Sequence, residues 1–492
     1  MLGSSAFLFF GSISGKIFLF ILQLLLVRTL DTEHYAAYVI SIGVINILVI
    51  VSSMGLSQAS IRYLSIYGHH ERDDLAQSLM ILIVITVLCI GLILSALGYW
   101  FFDDIDSIFF KYSLKDSLYM LLPIVSVLAL FNVLSESLKG LGRPNSFTVL
   151  RLVFYPLFLL IFSYFFIQTL NKDLSSVILA QYMTVFFFLL LVLYAIFHFI
   201  GLRFNIILLK EVNPKKVFLF SAPIMFNSLM VVLFQKSDIF MLGYFSDSLS
   251  VSVYSVITQF NELLVMPLTS IAAVFSITIS TYLYRQKSKE LGVLSRQVSK
   301  WIVLVTMAIY LSLILYGNNV LLAYKDEFIF GGEALVILAT SYMLLIPLGL
   351  SSHILIYSGM SGYYAKVNLF FLTLNVILNY VLIPKYGIEG AAISTGLSMF
   401  LSHIVFSYTV YNKFNITLVD LSTLKIMTIG LFVFIFFKMA IPVTETILGV
   451  IVGSAFVLLL VVLLAIAARV ITSQDIGDLI LIRQEKKVQD DV

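Results

Sequence analysis

The sequence predicts an all-α integral membrane protein of about fourteen transmembrane helices, and three observations lead there. Of its 492 residues, 60% are hydrophobic and 12% charged, with a mean hydropathy of +1.05, whereas soluble domains carry about 25% charged residues. The apolar residues come in runs of about 20, the length a helix needs to cross ~30 Å of hydrocarbon, rather than in the short alternating strands of an outer-membrane barrel. The Lys and Arg residues segregate to alternate connections, the positive-inside pattern. The net charge of +3 says little beside that pattern, and the single Cys89 excludes a disulfide framework or a cysteine-based metal site.

Taken in order, segment 1 (5–29) has no basic n-region, no small-residue cleavage site and too long an apolar run for a cleaved signal. Segment 2 (36–58) ends in "SSMGL", and segment 3 (78–101) carries Cys89 and leads into the acidic outer loop "FFDDIDS" (101–107). Segment 4 (117–139) closes on the turn "KGLGRPN" before segment 5 (146–168). Segment 6 (175–200) is followed by Arg203, Lys210, Lys215 and Lys216. Segments 7 (217–241) and 8 (249–275) are followed by Arg285, Lys287, Lys289, Arg296 and Lys300. Segments 9 to 14 cover 300–323, 334–358, 366–384, 388–411, 421–440 and 446–468, each long enough to span. With the N-terminus in the cytoplasm, the even connections and the tail hold 20 Lys and Arg and the odd ones 7, while Lys16, Arg151 and Lys236 lie within segments. Both termini are therefore expected on the cytoplasmic side.

Two internal echoes predict a duplication. "LDTEHYAAY" (30–38) is matched by "SDSLSVSVY" (246–254), with Asp31 and Tyr38 lying 216 residues before Asp247 and Tyr254. "KGLGRPNSF" (139–147) returns loosely as "SGMSGYYAK" (358–366), about 219 residues on. Because six helices make an even number, the two copies insert the same way round, as parallel repeats about an axis along the membrane normal. The expected domains are an N-lobe (1–200), a cytoplasmic inter-lobe loop (201–216), a C-lobe (217–411), two added helices (412–470) and a cytoplasmic tail (471–492).

No connection is long enough for an extramembrane catalytic domain. There is no HExxH, no GxSxG and no cluster of ligands at metal spacing; His69 and His70 beside "ERDD" read as a solvated loop. "FFGSISGKIF" (9–18) resembles a phosphate-binding loop, but only three residues separate Gly11 from Gly15, and Ile17 follows the lysine. Gly11 and Gly15 are then a GxxxG-like pair, explained by close helix packing.

Lys16 lies about 16 Å into segment 1, near mid-membrane, where a charge costs on the order of 2.5–3.5 kcal/mol on insertion scales. Ser5, Ser12, Lys16 and Gln23 share one helix face, a polar stripe that calls for water or protein rather than lipid. Glu262 is comparably deep in segment 8, on a face with Ser255, Thr258 and Thr269, and the 216-residue offset pairs it with Asn46. These residues predict a cavity between lobes, with Glu262 desolvated and either taking up a proton or paired to Lys16. Lys236 and Asp238 point apart near the outer end of segment 7, so that Lys236 snorkels while Asp238 faces inward with Asn227. Glu136 and Lys139 are spaced for a local ion pair. Arg62, Arg143 and Arg151 fit the positive-inside pattern, and their planar forks also suit capture of a phosphate headgroup.

"LLLVRTLDTEHYAAY" (24–38), "SSMGLSQASIRYLS" (52–65), "GLGRPN" (140–145) and "KSDIFMLGYF" (236–245) together resemble the multidrug/oligosaccharidyl-lipid/polysaccharide exporter superfamily, and within it the Wzx-type polysaccharide flippases. Ala36 and Ala37 depart from the glycine that commonly follows the first aromatic in that family. The resemblance implies no enzyme but a flippase that carries undecaprenyl-pyrophosphate-linked oligosaccharide to the outer leaflet of the bacterial cytoplasmic (inner) membrane by alternating access, for O-antigen, lipopolysaccharide or capsule synthesis. It also implies no bound cofactor, coupling to a proton or sodium gradient, lipid partners, a polysaccharide polymerase and chain-length regulator as companions, and no nucleic acid. A cation-coupled multidrug exporter of the same fold is the alternative, and an integral-membrane glycan polymerase or ligase a more distant one.

Overall fold

The structure, a computed structural model, describes residues 2–69, 73–109, 114–170, 173–200, 212–440 and 446–470. His70, Arg203, Lys210 and the tail 471–492 lie outside the described residues, as do the side chains of Ser5, His69 and residues 102–107. The described chain is helical: α1 Leu2–Thr29, α2 Thr32–Ser53, α3 Leu56–His69, α4 Asp73–Phe109, α5 Lys115–Leu121, α6 Ile124–Gly140, α7 Pro144–Phe147, a π turn Thr148–Phe154, α8 Tyr155–Thr169, α9 Leu174–Ile200, α10 Pro214–Phe245, α11 Ser248–Tyr284, α12 Ser288–Leu322, a 3-10 turn Asp326–Gly331, α13 Gly332–Leu345, α14 Leu350–Tyr357, α15 Ser361–Phe414, α16 Leu421–Ala440 and α17 Ile447–Ala467.

Twelve of these stretches are long and apolar enough to cross a membrane, and α5 with α6 forms a further span bent by 49°. α15 adds one more. Its 54 residues would run about 80 Å if straight, yet Asn375 donates to Thr395 at 2.8 Å and the Tyr363 and Thr409 hydroxyls meet at 2.9 Å. The helix therefore doubles back, and it does so at Gly387, whose φ of 55° and ψ of −128° suit glycine. The described spans thus reach the predicted fourteen, with segments 11 and 12 as the two legs of α15. Three segments depart from straight spans: segment 2 breaks at Met54–Gly55, segment 4 bends at Leu122–Pro123, and segment 10 is cut by a 3-10 turn around Pro347.

Both echoes correspond to repeated geometry. Asp31 caps α2 by accepting from the His34 amide at 2.9 Å, and Asp247 accepts from the Ser250 amide at 2.9 Å. At the second echo, the amides of Leu141, Gly142 and Arg143 return to the carbonyls of Ser137, Lys139 and Leu138, and those of Ser358, Gly359 and Met360 to Ile354, Ile356 and Leu355. This is one helix-ending motif twice, around glycines at φ +73° and +83°. It sets Gly142 against Gly359, an offset of 217 rather than 219; the sequence echo slips because the motif fixes hydrogen bonds and one glycine, not its neighbours.

Packing divides the chain into two compact units, Met1–Val256 with Ile383–Gly387, and Ile257–Leu382 with Ile388–Val492. In the first, Pro156 explains the π turn. A proline has no amide, so Leu152 loses its helical donor, and the Tyr155 amide reaches back to Leu150 instead. The bared Leu152 carbonyl lies where a side chain at Gly15 would begin, and the Thr148 side chain does the same at Gly11. α1 therefore sits flush against the π turn through the predicted glycine pair. In the second unit α12 is central: Gly430 of α16 packs on Met307, and Gly453 of α17 on Tyr316, which seats the two added helices.

Gly15→Leu should lower the melting temperature in detergent, because the obstructing atom is backbone and overpacking costs typically about 1–3 kcal/mol. Gly68→Ala, with open space around residue 68, should melt at or slightly above the native temperature.

Candidate functional site

The rotation of α1 decides what its polar stripe meets. With Gly11 and Gly15 held on the π turn, Ser12, Lys16 and Gln23 point about 100° away from that face. Two turns beyond Lys16, Gln23 donates through Nε2 to the Tyr35 hydroxyl at 2.9 Å and to the Ser255 carbonyl at 3.3 Å. Tyr35 and Ser255 hydroxyls are 3.1 Å apart, and Ser252 donates to the Thr32 carbonyl at 3.0 Å. This knot lies within the first unit and ties the α1–α2 corner of one repeat to the α10–α11 corner of the other. Gln23 Oε1 is buried and takes no hydrogen bond among the described residues. Lys16 and Ser12 are half-buried on the same face, as is Asn46 on α2.

Asp238 is 2% exposed and accepts a 2.7 Å hydrogen bond from Tyr254. Lys236 is half-buried. Farther along α11, in the part that belongs to the second unit, Thr258 is half-buried and Glu262 exposed. Asn261 and Leu264 of α11 are buried, and Glu262 lies between them on an exposed side of the helix.

At one end of the first unit, cations lie over aromatic rings. Arg62 is 4.5 Å from the Phe220 ring, Arg143 4.7 Å from Phe199, Lys139 4.3 Å from Phe147, and Arg151 4.9 Å from Phe131 and 5.0 Å from Tyr155. Lys139 also forms the predicted ion pair with Glu136. Arg62 and Arg143 are exposed, while Arg151 is half-buried on the π turn. A cavity of about 430 Å³ opens beside Arg143, lined by Phe7, Asn145, Ser146, Val149, Leu150 and Phe199. The partners Tyr35, Phe199 and Phe220 escaped the sequence reading, which named Ser255 on the Glu262 face but not beside Gln23, since pairing across helices leaves no local spacing; Pro156 was the one visible sign of the π turn.

Known proteins share this architecture. A chain described as the lipid II flippase MurJ in an inward closed conformation superposes with a TM-score of 0.72 at 18% identity, covering 95% of this chain and 99% of that one. An inward-facing MATE family multidrug resistance transporter of the MOP superfamily gives 0.67 at 15%, covering 81% and 94%. Two Haloferax volcanii proteins align over shorter stretches. The probable low-salt glycan biosynthesis flippase Agl15 is 22% identical over 40% of this chain and 42% of its own length, and the probable flippase AglR 29% over 34% and 36%. The chain thus spans about two fifths of these curated relatives. A MatE family model matches residues 223–381. The polysaccharide biosynthesis protein family model matches residues 2–282, more than half of the sequence, and the chain belongs to that family.

Proposed function

We propose that this protein is a flippase that moves a lipid-linked oligosaccharide, joined to its polyprenyl carrier through pyrophosphate, from the cytoplasmic to the outer leaflet by alternating access between two repeated lobes. The observation that carries this reading is Lys16. An ammonium near mid-membrane is costly, and here it shares a helix face with the Gln23 knot, turned away from the glycine face that holds α1 in place. Pyrophosphate and sugars cannot cross hydrocarbon unaided, and a cationic, polar-lined path lowers that barrier. Membership of the polysaccharide biosynthesis family and the two relatives named as flippases support it.

In this reading Arg62 and Arg143, exposed on aromatic rings at the cytoplasmic side, capture the anionic headgroup, with Arg151 behind them; Phe199 connects Arg143 to the adjoining cavity. The knot of Gln23, Tyr35, Ser255, Ser252 and Thr32 closes the outer side between repeats. Neutral hydrogen bonds contribute about 0.5–1.5 kcal/mol each, so substrate binding can break such a closure. Asn46, Asp238, Thr258 and Glu262 belong to the path. Coupling to a proton or sodium gradient, a role in O-antigen or capsule assembly in a cytoplasmic membrane, and polymerase and chain-length partners are parts of the same proposal. A cation-coupled exporter is the second reading, favoured by the buried Asp238–Tyr254 pair within the stretch that the MatE model matches.

Leaflet accessibility of a labelled lipid-linked oligosaccharide in proteoliposomes tests both readings. Lys16→Ala should insert normally and abolish movement, with Lys16→Arg retaining part of it; full activity in the alanine variant would remove Lys16 from the path. Ion-dependent efflux of an organic cation without lipid movement, lost in Asp238→Asn, would establish the exporter instead. Arg62→Gln combined with Arg143→Gln should raise half-saturation by about tenfold or more, the worth of charge-assisted hydrogen bonds, and flatten its salt dependence.

A further inference from the structure

The second unit contains a cavity of about 1070 Å³, at the upper end of ligand sites, which run to about 1,000 Å³. It is remote in sequence from every residue assigned above. Its polar wall comes from Asn318 and Asn319 in the last turns of α12, Glu333 in the first turn of α13, and Glu389 just past the Gly387 bend. Ile329 and Phe330 of the 3-10 turn supply an apolar side; Phe330 is 51% exposed. Gly332 has no side chain, and the Asn318 amide fills the space one would occupy. All of these residues stand at connections that the Lys and Arg distribution assigns to the outer face.

Helix polarity accounts for one of the carboxylates. Asp116 occupies the first turn of α5, 217 residues before Glu333, and each complements the positive end of its helix. That duty explains neither the adjoining amides, nor the exposed ring, nor the open volume. No Lys or Arg is among the lining residues, so an anion finds two carboxylates and no counter-charge. The pyrophosphate end of a lipid-linked substrate is thereby excluded.

We infer that this cavity is a saccharide-binding site on the outer side, taking neutral or amino sugars and rejecting anionic ones. A carboxylate accepts from two neighbouring hydroxyls, an amide both donates and accepts, and an exposed phenyl face covers the C–H side of a pyranose ring. The inference rests on the proposed flippase reading only for the source of the sugar.

The test is saturation-transfer NMR on the full chain in nanodiscs, with glucosamine, N-acetylglucosamine and glucuronate as probes. Transfer is expected to the first two and not to glucuronate. Glu333→Gln with Glu389→Gln should weaken glucosamine binding about tenfold or more, the worth of hydrogen bonds to a charged group. Phe330→Ala should weaken both sugars without lowering the melting temperature, since its ring is exposed. Equal transfer to all three probes, no transfer, unchanged binding in the double variant, or displacement of the sugars by calcium alone would each overturn the site. Because the assay needs no transport, sugar binding without lipid movement would retire the flippase and keep the site, and the converse would do the opposite.

Discussion

The contact between Gly15 and the Leu152 carbonyl fixes the rest of the first unit. In hydrocarbon a carbonyl without a donor is expensive, and Pro156 creates one in the middle of a membrane helix. The chain answers by shifting to π hydrogen bonding and by bringing α1 so close that only a glycine fits beneath the bared oxygen. That approach sets the rotation of α1. Once it is set, helix geometry alone turns Lys16 and Gln23 about 100° away, toward the side where Tyr35 and Ser255 are found. The mid-membrane charge therefore owes its direction to a proline 140 residues away in sequence.

The same π turn displays Arg151 between Phe131 and Tyr155. Arg62, Lys139 and Arg143 lie over rings in the same manner, and Lys139 also pairs with Glu136. A ring holds a guanidinium less strongly than a carboxylate does and leaves its in-plane donors available.

Much of the fold was legible because lipid enforces it. Span length, basic connections and the Asp31 and Asp247 caps all follow from local composition, and the glycine pair Gly11 and Gly15 could be read as a packing face without knowing its partner. The departures arise where local pattern is silent. A hydropathy run does not show that α2 breaks at Met54–Gly55 or that α6 leaves α5 at 49°. The 219-residue spacing of the second echo slipped by two because residues around Gly142 and Gly359 differ while their hydrogen bonds do not. Within the site, Lys16, Gln23 and Asp238 announced themselves as polar groups in apolar runs. Tyr35 did not, being an ordinary residue at a helix end until another helix meets it, and Ser255 was read on the Glu262 face rather than as its partner.

Charge is distributed differently in the two units. One end of the first unit carries cations on rings, and α1 carries Lys16 within its span; the second unit carries a cavity with Glu333 and Glu389 and, among its described lining residues, no basic one. In the proposed reading, an amphiphile with an anionic junction and a hydroxylated head would find its junction attracted to the ring-borne cations and unwelcome at the cavity, while its sugars are accepted there. A binding preference of this kind cannot by itself drive net transport, since any equilibrium site returns what it binds. It can set the order in which the two ends of the substrate are released, the sugar being retained while the phosphate leaves. In that reading direction would come from outside the chain, through an ion gradient or through consumption of the glycan once it is exposed.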